Sequence, residues 1–435
     1  MIALALVALL AAPPEEEEVD LEEAALAAAQ NTQARGYTPG DASAAQPPLR
    51  LTGYIDVGFA RAQGDGTSFA PGDTRLPADY GVDTFAPMVN SRGEVASTNS
   101  RGRFTNGFLP RSAGIGGKAS FLLNTVDADV RYAPQGSPVF LFARLQFLPR
   151  FFAAEGESSR LLVQQAFLRV TPFANQEMTL SLGKFDSVFG IEYLETEANL
   201  RTGITPSLIA RYTTGQSLGA KLFWRLQIPK LWAAVSINSA ATNGGTMVET
   251  LQPQGASQTG IPVLSGRLGL ELNLPRLEIK LGASGLYGPR NDQRDQKVSQ
   301  RALGADARLI FGWLSLSAEW IKVDEEGGAA DKADGLGTQT IVSGFWADGL
   351  YATAALAIPI TPGALKKVTA YGRYSRRHAY FEGFVPITVD AIAAGLRLDL
   401  FDSLALKGEY LRNRELAGAP TVRNDVVTSS LVFTW

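Results

Sequence analysis

The 435-residue chain contains no cysteine and a single histidine, His378. Without thiols there is no disulfide framework, no iron–sulfur ligation and no cysteine nucleophile. One histidine cannot build a multi-histidine metal centre. Charge is scarce at 19% and nearly balanced, 40 Lys and Arg against 43 Asp and Glu, so no basic footprint for nucleic acid exists. Past the N-terminus no apolar run approaches the ~20 residues of a membrane-spanning helix, which excludes a helical membrane protein. Yet 45% of the residues are hydrophobic, too many for a disordered chain. Those side chains either fill a soluble core or face lipid from strands.

The N-terminal Ile2–Ala12 (IALALVALLAA) has the length and small-residue ending of a signal-peptide core, and Pro13-Pro14 and the run Glu15 to Glu18 cut it off. No Lys or Arg precedes it, which leaves an upstream start codon open. Residues 1–14 are read as signal-peptide-like. Residues 15–50 are acidic and Ala/Leu-rich as far as Ala29 and polar from Asn31, and read as a periplasmic linker, part helical. They show fewer heptads than a coiled coil requires.

From Leu51 the pattern has period two. Leu51, Gly53, Ile55, Val57 and Phe59 alternate with Thr52, Tyr54, Asp56, Gly58 and Ala60. Successive side chains of a strand point to opposite faces, so one face is oily and the other polar or small. Leu264, Leu268, Leu270, Leu272 and Leu274 repeat the pattern, and after Pro275-Arg276 so do Leu277, Ile279, Leu281 and Ala283; a connection that short makes an antiparallel hairpin. The whole chain yields about 16 such segments near the 9–11 residues of a tilted membrane-crossing strand. The weakest, 340–358, is interrupted by Gly344, Asp348 and Gly349 and is taken as one strand. Short turns such as Gly312-Trp313 alternate with long polar loops such as 62–117, 189–215 and 324–337.

Lipid offers no hydrogen bonds to an open sheet edge, so strands cross a bilayer only as a closed barrel. The expected fold is therefore an all-β, closed antiparallel transmembrane barrel over 51–435, in the bacterial outer membrane with lipid around it. A soluble sandwich would bury the same leucines between two sheets. Val427, Leu431, Phe433 and Trp435 end the chain on one face with a terminal aromatic. In this the chain resembles bacterial outer-membrane barrels, whose last strand is recognised by the barrel-assembly machinery.

About sixteen strands leave an aqueous lumen. The expected function is a porin passing small hydrophilic solutes or ions, with no cofactor and no catalysis. Arg131, Arg144, Lys221, Arg225, Arg267, Lys280, Arg308, Arg373 and Arg397 are expected on the lumen wall, beside acids such as Asp306, Glu319 and Glu409. A loop folded into the bore would set selectivity. One candidate is 189–215, where Glu192, Glu195 and Glu197 oppose Arg201, Arg211 and Tyr212; the other is 62–117, with Arg101, Arg103 and Arg111. The alternative is a non-conducting barrel serving as scaffold, adhesin or receptor. A lipid hydrolase would have to use His378, read here as a loop-tip residue, without any G-x-S-x-G elbow.

Leu182-Gly183-Lys184-Phe185-Asp186, followed by Phe189-Gly190-Ile191-Glu192 and by Gly215 opening the next strand, resembles the corresponding segment of phosphate-selective-type porins and related porin-like barrels. It covers roughly a tenth of the chain. The resemblance implies a passive porin, often a homotrimer in that class. Phosphate selectivity is not carried over, since the sequence has no dense lumenal run of Lys and Arg.

Overall fold

A strand whose two faces differ so sharply needs an apolar medium on one side and polar partners on the other. The computed structural model meets both needs by closing the sheet. It describes residues 48–62, 95–98, 104–109, 119–134, 136–147, 161–173, 178–186, 188–195, 197–213, 216–226, 231–238, 262–289, 299–326, 328–332, 339–342, 345–360, 363–381, 387–416 and 425–435. The stretch read as signal-peptide-like, 1–14, and residues 15–47 of the stretch read as a linker lie outside the described residues.

The first strands are β1 (Leu49–Ala62), β2 (Val95–Thr98), β3 (Phe104–Leu109), β4 (Ala119–Tyr132), β5 (Val139–Phe147), β6 (Leu161–Val170) and β7 (Met178–Asp186). Next come β8 (Gln216–Leu226), β9 (Leu231–Asn238), β10 (Val263–Leu274), β11 (Leu277–Pro289), β12 (Ser299–Phe311) and β13 (Leu314–Glu325). The last are β14 (Gly328–Lys332), β15 (Gln339–Val342), β16 (Phe345–Pro359), β17 (Lys367–Phe381), β18 (Ile387–Phe401), β19 (Leu404–Glu415) and β20 (Val426–Thr434). Sixteen of them close a barrel of antiparallel neighbours, with β1 between β4 and β20; β2–β3 and β14–β15 form two separate small sheets.

Burial decides between barrel and sandwich. Leu268 and Leu303 on the apolar register are 58% and 61% exposed, while Glu319 and Lys407 on the polar register are 1% and 2% exposed. A water-soluble fold has the opposite distribution. Leucines outside and charges inside suit a barrel surrounded by hydrocarbon.

The closing seam depends on a glycine. Gly53 and Trp435 exchange backbone hydrogen bonds of 3.1 and 3.0 Å, and a Cβ on Gly53 would run into the Trp435 indole and the Asp127 carbonyl. The terminal aromatic thus lies over β1, the first strand.

Five expectations need correction. Segment 340–358 is not one strand: β15 pairs with β14, and only β16 joins the barrel. The β13–β16 ladder runs to Glu325↔Phe345, and a second, two-stranded ladder resumes beyond it, so a stretch read as loop, 324–337, contains β14. Likewise 62–117 contains the β2–β3 hairpin. His378 is not at a loop tip but within β17, stacked on Trp346 with 5.0 Å between centroids and 2.8 Å from Thr388 Oγ1. β1 also starts two residues inside the stretch read as linker.

Candidate functional site

Between β7 and β8 the chain turns into the barrel. It forms a short 3-10 turn at Glu192–Glu195 and one helical turn at Ala210–Thr213, with Phe189, Ala198, Ile204, Leu208, Ile209 and Tyr212 all buried. A buried loop needs partners for its backbone N–H and C=O groups in place of water. Here charged side chains of the wall supply them.

Glu319 of β13 accepts the N–H groups of Ile191 and Glu192 at 3.0 and 3.2 Å, while Ser284 of β11 accepts that of Gly190 at 3.0 Å. Arg267 of β10 donates to the Gly190 carbonyl and to Asp306 at 2.6 Å. Gly190 has φ of 78°, and a Cβ there would strike the Glu319 carboxylate, so this grip requires glycine. Further along, Glu409 of β19 accepts from the N–H groups of Ile204 and Thr205 at 2.9 and 3.1 Å and from the hydroxyls of Thr205 and Tyr371. Lys407 donates to the carbonyls of Ala198, Arg201 and Gly203, Arg397 to that of Arg201 at 3.0 Å, and Arg373 to those of Thr205 and Pro206 at 2.7 and 2.9 Å.

On the far side, Glu197 is ion-paired to Arg144 of β5 and accepts from the Tyr54 hydroxyl of β1 at 2.9 Å; Arg144 in turn holds Asp129 at 2.6 and 2.8 Å. Burial opposes ionisation of Glu197, but Arg144 and the donors around it hold its carboxyl below the usual glutamate range. Glu192 braces the loop on itself, accepting from Ser207 N–H and Oγ at 2.6 and 2.5 Å, and burial raises its pKa. Burial also pushes the Tyr193 phenol up to about 12. Phe189, Ile209 and Tyr212 dock on an apolar patch of the inner wall that includes Val263, Leu286, Ile321, Val323 and Tyr351. The loop therefore touches strands on opposite sides of the bore.

No protein-family model and no curated protein sequence matches the chain. Solved structures do. OprB of Pseudomonas putida superposes with a TM-score of 0.52 at 8% identity, over 89% of this chain and 94% of that one. The outer membrane channel DcaP of Acinetobacter baumannii gives 0.51 at 10% identity, over 89% and 97%. The fold is that of a porin-like outer-membrane barrel. At these identities the likeness concerns fold alone and does not single out the phosphate-selective type.

Within this porin-like barrel, Arg131, Arg144, Lys221, Arg225, Arg267, Lys280, Arg308, Arg373 and Arg397 all occupy the inward register. Their tasks differ. Arg144, Arg267, Arg373 and Arg397 hold the loop, Lys280 pairs with Glu278 at 2.9 Å, and Arg225 is exposed. Of the loop candidates, Glu192, Glu197 and Tyr212 are buried in anchoring contacts, while Glu195 and Arg201 stay partly exposed. Arg211 lies in the helical turn, its side chain outside the described residues. Arg101, Arg103 and Arg111 also lie outside them.

Sequence reasoning put Glu319 and Glu409 on the inner face but missed their grip on the loop backbone. It also missed the apolar patch, although Ile321 and Val323 stand on the polar register of β13, a visible break in the alternation. Charge is uneven along the bore. Within three residues of the short-turn ends, the inward positions of β1 to β12 carry Arg50, Arg131, Arg169, Arg225, Lys280 and Arg308 against Asp129, Glu271 and Glu278.

Proposed function

We propose that the chain is an outer-membrane porin through which small hydrophilic solutes diffuse passively, narrowed by the loop 188–213. The observation that carries this reading is a buried loop strapped across a sixteen-strand barrel, a size that otherwise leaves an aqueous lumen. The partly exposed Glu195 and Arg201 then border the remaining passage. With the short turns at the periplasmic side, the cationic excess at that mouth favours anions, because charged rings set the electrostatic barrier of a pore. The protein is non-enzymatic in this reading. Its last strand, ending on Trp435, is the segment offered to the assembly machinery, and the assembly is a homotrimer, to be checked by the mass of the detergent-extracted complex.

A second reading is a barrel closed by its own loop, acting as scaffold or receptor. Contacts of one loop with opposite walls favour it. Planar-bilayer recording separates the two. Stepwise conductance from purified protein supports the porin; a silent wild type that conducts only after Glu319→Ala with Glu409→Ala supports the closed barrel.

A further inference from the structure

Outside the barrel, near the rim carrying the long loops, two arginines share one carboxylate. Arg376 of β17, Asp390 of β18 and Arg414 of β19 stand opposite one another on three neighbouring strands. Asp390 accepts from Arg376 Nε at 2.8 Å and Nη2 at 3.3 Å and from Arg414 Nη2 at 2.9 Å. It is almost fully covered, yet the guanidinium-bearing side chains remain 47% and 42% exposed. Arg412, the next outward residue on β19, is exposed, and its side chain makes no hydrogen bond or ion pair among the described residues. Toward β20 the next acid, Asp425, is occupied by the Tyr410 hydroxyl at 2.7 Å and the Asn413 N–H at 3.0 Å, and toward β16 the next, Asp348, stands opposite Lys322 of β13. Three cations thus face outward over one carboxylate. Elsewhere on the same rim, Arg301 and Asp324 form a one-to-one pair at 2.8 Å.

The height of the cluster matters. Arg376 is nine residues from Lys367, the first residue of β17 at the short-turn end. That is roughly 30 Å of strand, or about 23 Å along the barrel axis at a tilt near 40°, where the apolar band of such barrels is about 25 Å tall. Below the cluster the outward residues are apolar: Ile392, Leu396, Leu406 and Tyr410. The guanidinium groups therefore leave the hydrocarbon at headgroup level, where an excess of positive charge has an anionic complement within reach. A guanidinium fork matches phosphate oxygens bidentately, and the Asp390 bonds hold two forks in place before any ligand arrives.

We propose that Arg376, Arg412 and Arg414 form a docking site on the barrel exterior for the phosphate of an outer-leaflet lipid. The proposal rests on the membrane-spanning reading of the barrel and is independent of conduction. The test uses the folded full chain in neutral detergent. Its binding to bisphosphorylated lipid A, to dephosphorylated lipid A and to inorganic phosphate is measured by native mass spectrometry. The variant is Arg376→Gln, Asp390→Asn, Arg412→Gln and Arg414→Gln, in which no buried carboxylate is left bare; Arg301→Gln is the control.

The expected result is at least tenfold weaker binding of lipid A to the variant, no change in the control, and poor binding of both dephosphorylated lipid A and free phosphate. Equal retention of lipid A by variant and wild type overturns the site, as does equal binding of the dephosphorylated lipid. Free phosphate binding as tightly as lipid A overturns the lipid as occupant. A variant that instead loses oligomeric mass assigns the patch to contact between copies and likewise overturns it. Insertion into lipid vesicles and a heat-dependent shift in gel mobility test the barrel separately, so failure there is distinguishable from failure of the site.

Discussion

Glu319 and Glu409 face a barrel interior in which the water they would otherwise bind has been replaced by a loop. Each accepts a pair of backbone N–H groups, and hydrogen bonds to a charged group are individually worth about 1.5–3 kcal/mol. Glu409→Ala should destabilise the folded protein by roughly 3 kcal/mol, read from urea unfolding followed by tryptophan fluorescence. It should also raise hydrogen exchange in residues 203–206, with the strands remaining protected. Arg144→Met should cost more, about 3–5 kcal/mol, because it strands Glu197 as a buried charge and leaves Asp129 with Arg131 alone, at 3.6 Å.

Glu197 also gives the loop a pH dependence of fixed sign. Its folded pKa lies below the ordinary 4.5, so its contribution to stability is complete above that value and lost as the pH falls through the folded pKa. Loop protection against hydrogen exchange should therefore drop on acidification below about 4.5 in the wild type. In Glu197→Gln it should be low and flat across the same range. An unchanged acid transition in that variant would assign the effect to another group.

At the scale of elements, the closing seam is the most exposed to single changes. Trp435 covers Gly53 from the last strand, and any Cβ at Gly53 meets both an indole and a carbonyl. Gly53→Val should cost about 1–3 kcal/mol through overpacking and lower the yield of folded barrel, seen as loss of the heat-dependent gel shift. Trp435→Phe should retain most of it.

The elements themselves were largely readable because the side-chain period of a strand is fixed at two, so every spanning segment carries its own signature. The hairpin of β10 and β11 follows the predicted alternation residue for residue. The stretch 340–358 was not readable in the same way. Its two halves both favour extended backbone, and only the partner strand distinguishes β15, paired with β14, from β16, paired with β13 and β17.

For the whole molecule, the distribution of charge along the bore matters more than its sum. The sequence shows near neutrality, whereas the folded wall gathers arginines close to the short turns. In a tenfold KCl gradient the reversal potential should carry the sign of chloride preference. Arg131→Gln, Arg169→Gln and Arg225→Gln together should move it toward zero, and raising the salt to 1 M, where screening acts within about 3 Å, should weaken it in the wild type. A potential of the opposite sign would transfer selectivity to the loop carboxylates.

The sequence by itself determined that the chain closes into a lipid-facing barrel, because an alternating strand must bury its backbone bonds in neighbours and show lipid its oily face wherever it lies. It also marked the inward register and the loop able to enter the bore. Only the tertiary structure decided what the inward charges do. Whether Glu409 lines water or grips Thr205 depends on side chains 204 positions apart meeting across the lumen, and a local pattern of period two carries no information about such meetings.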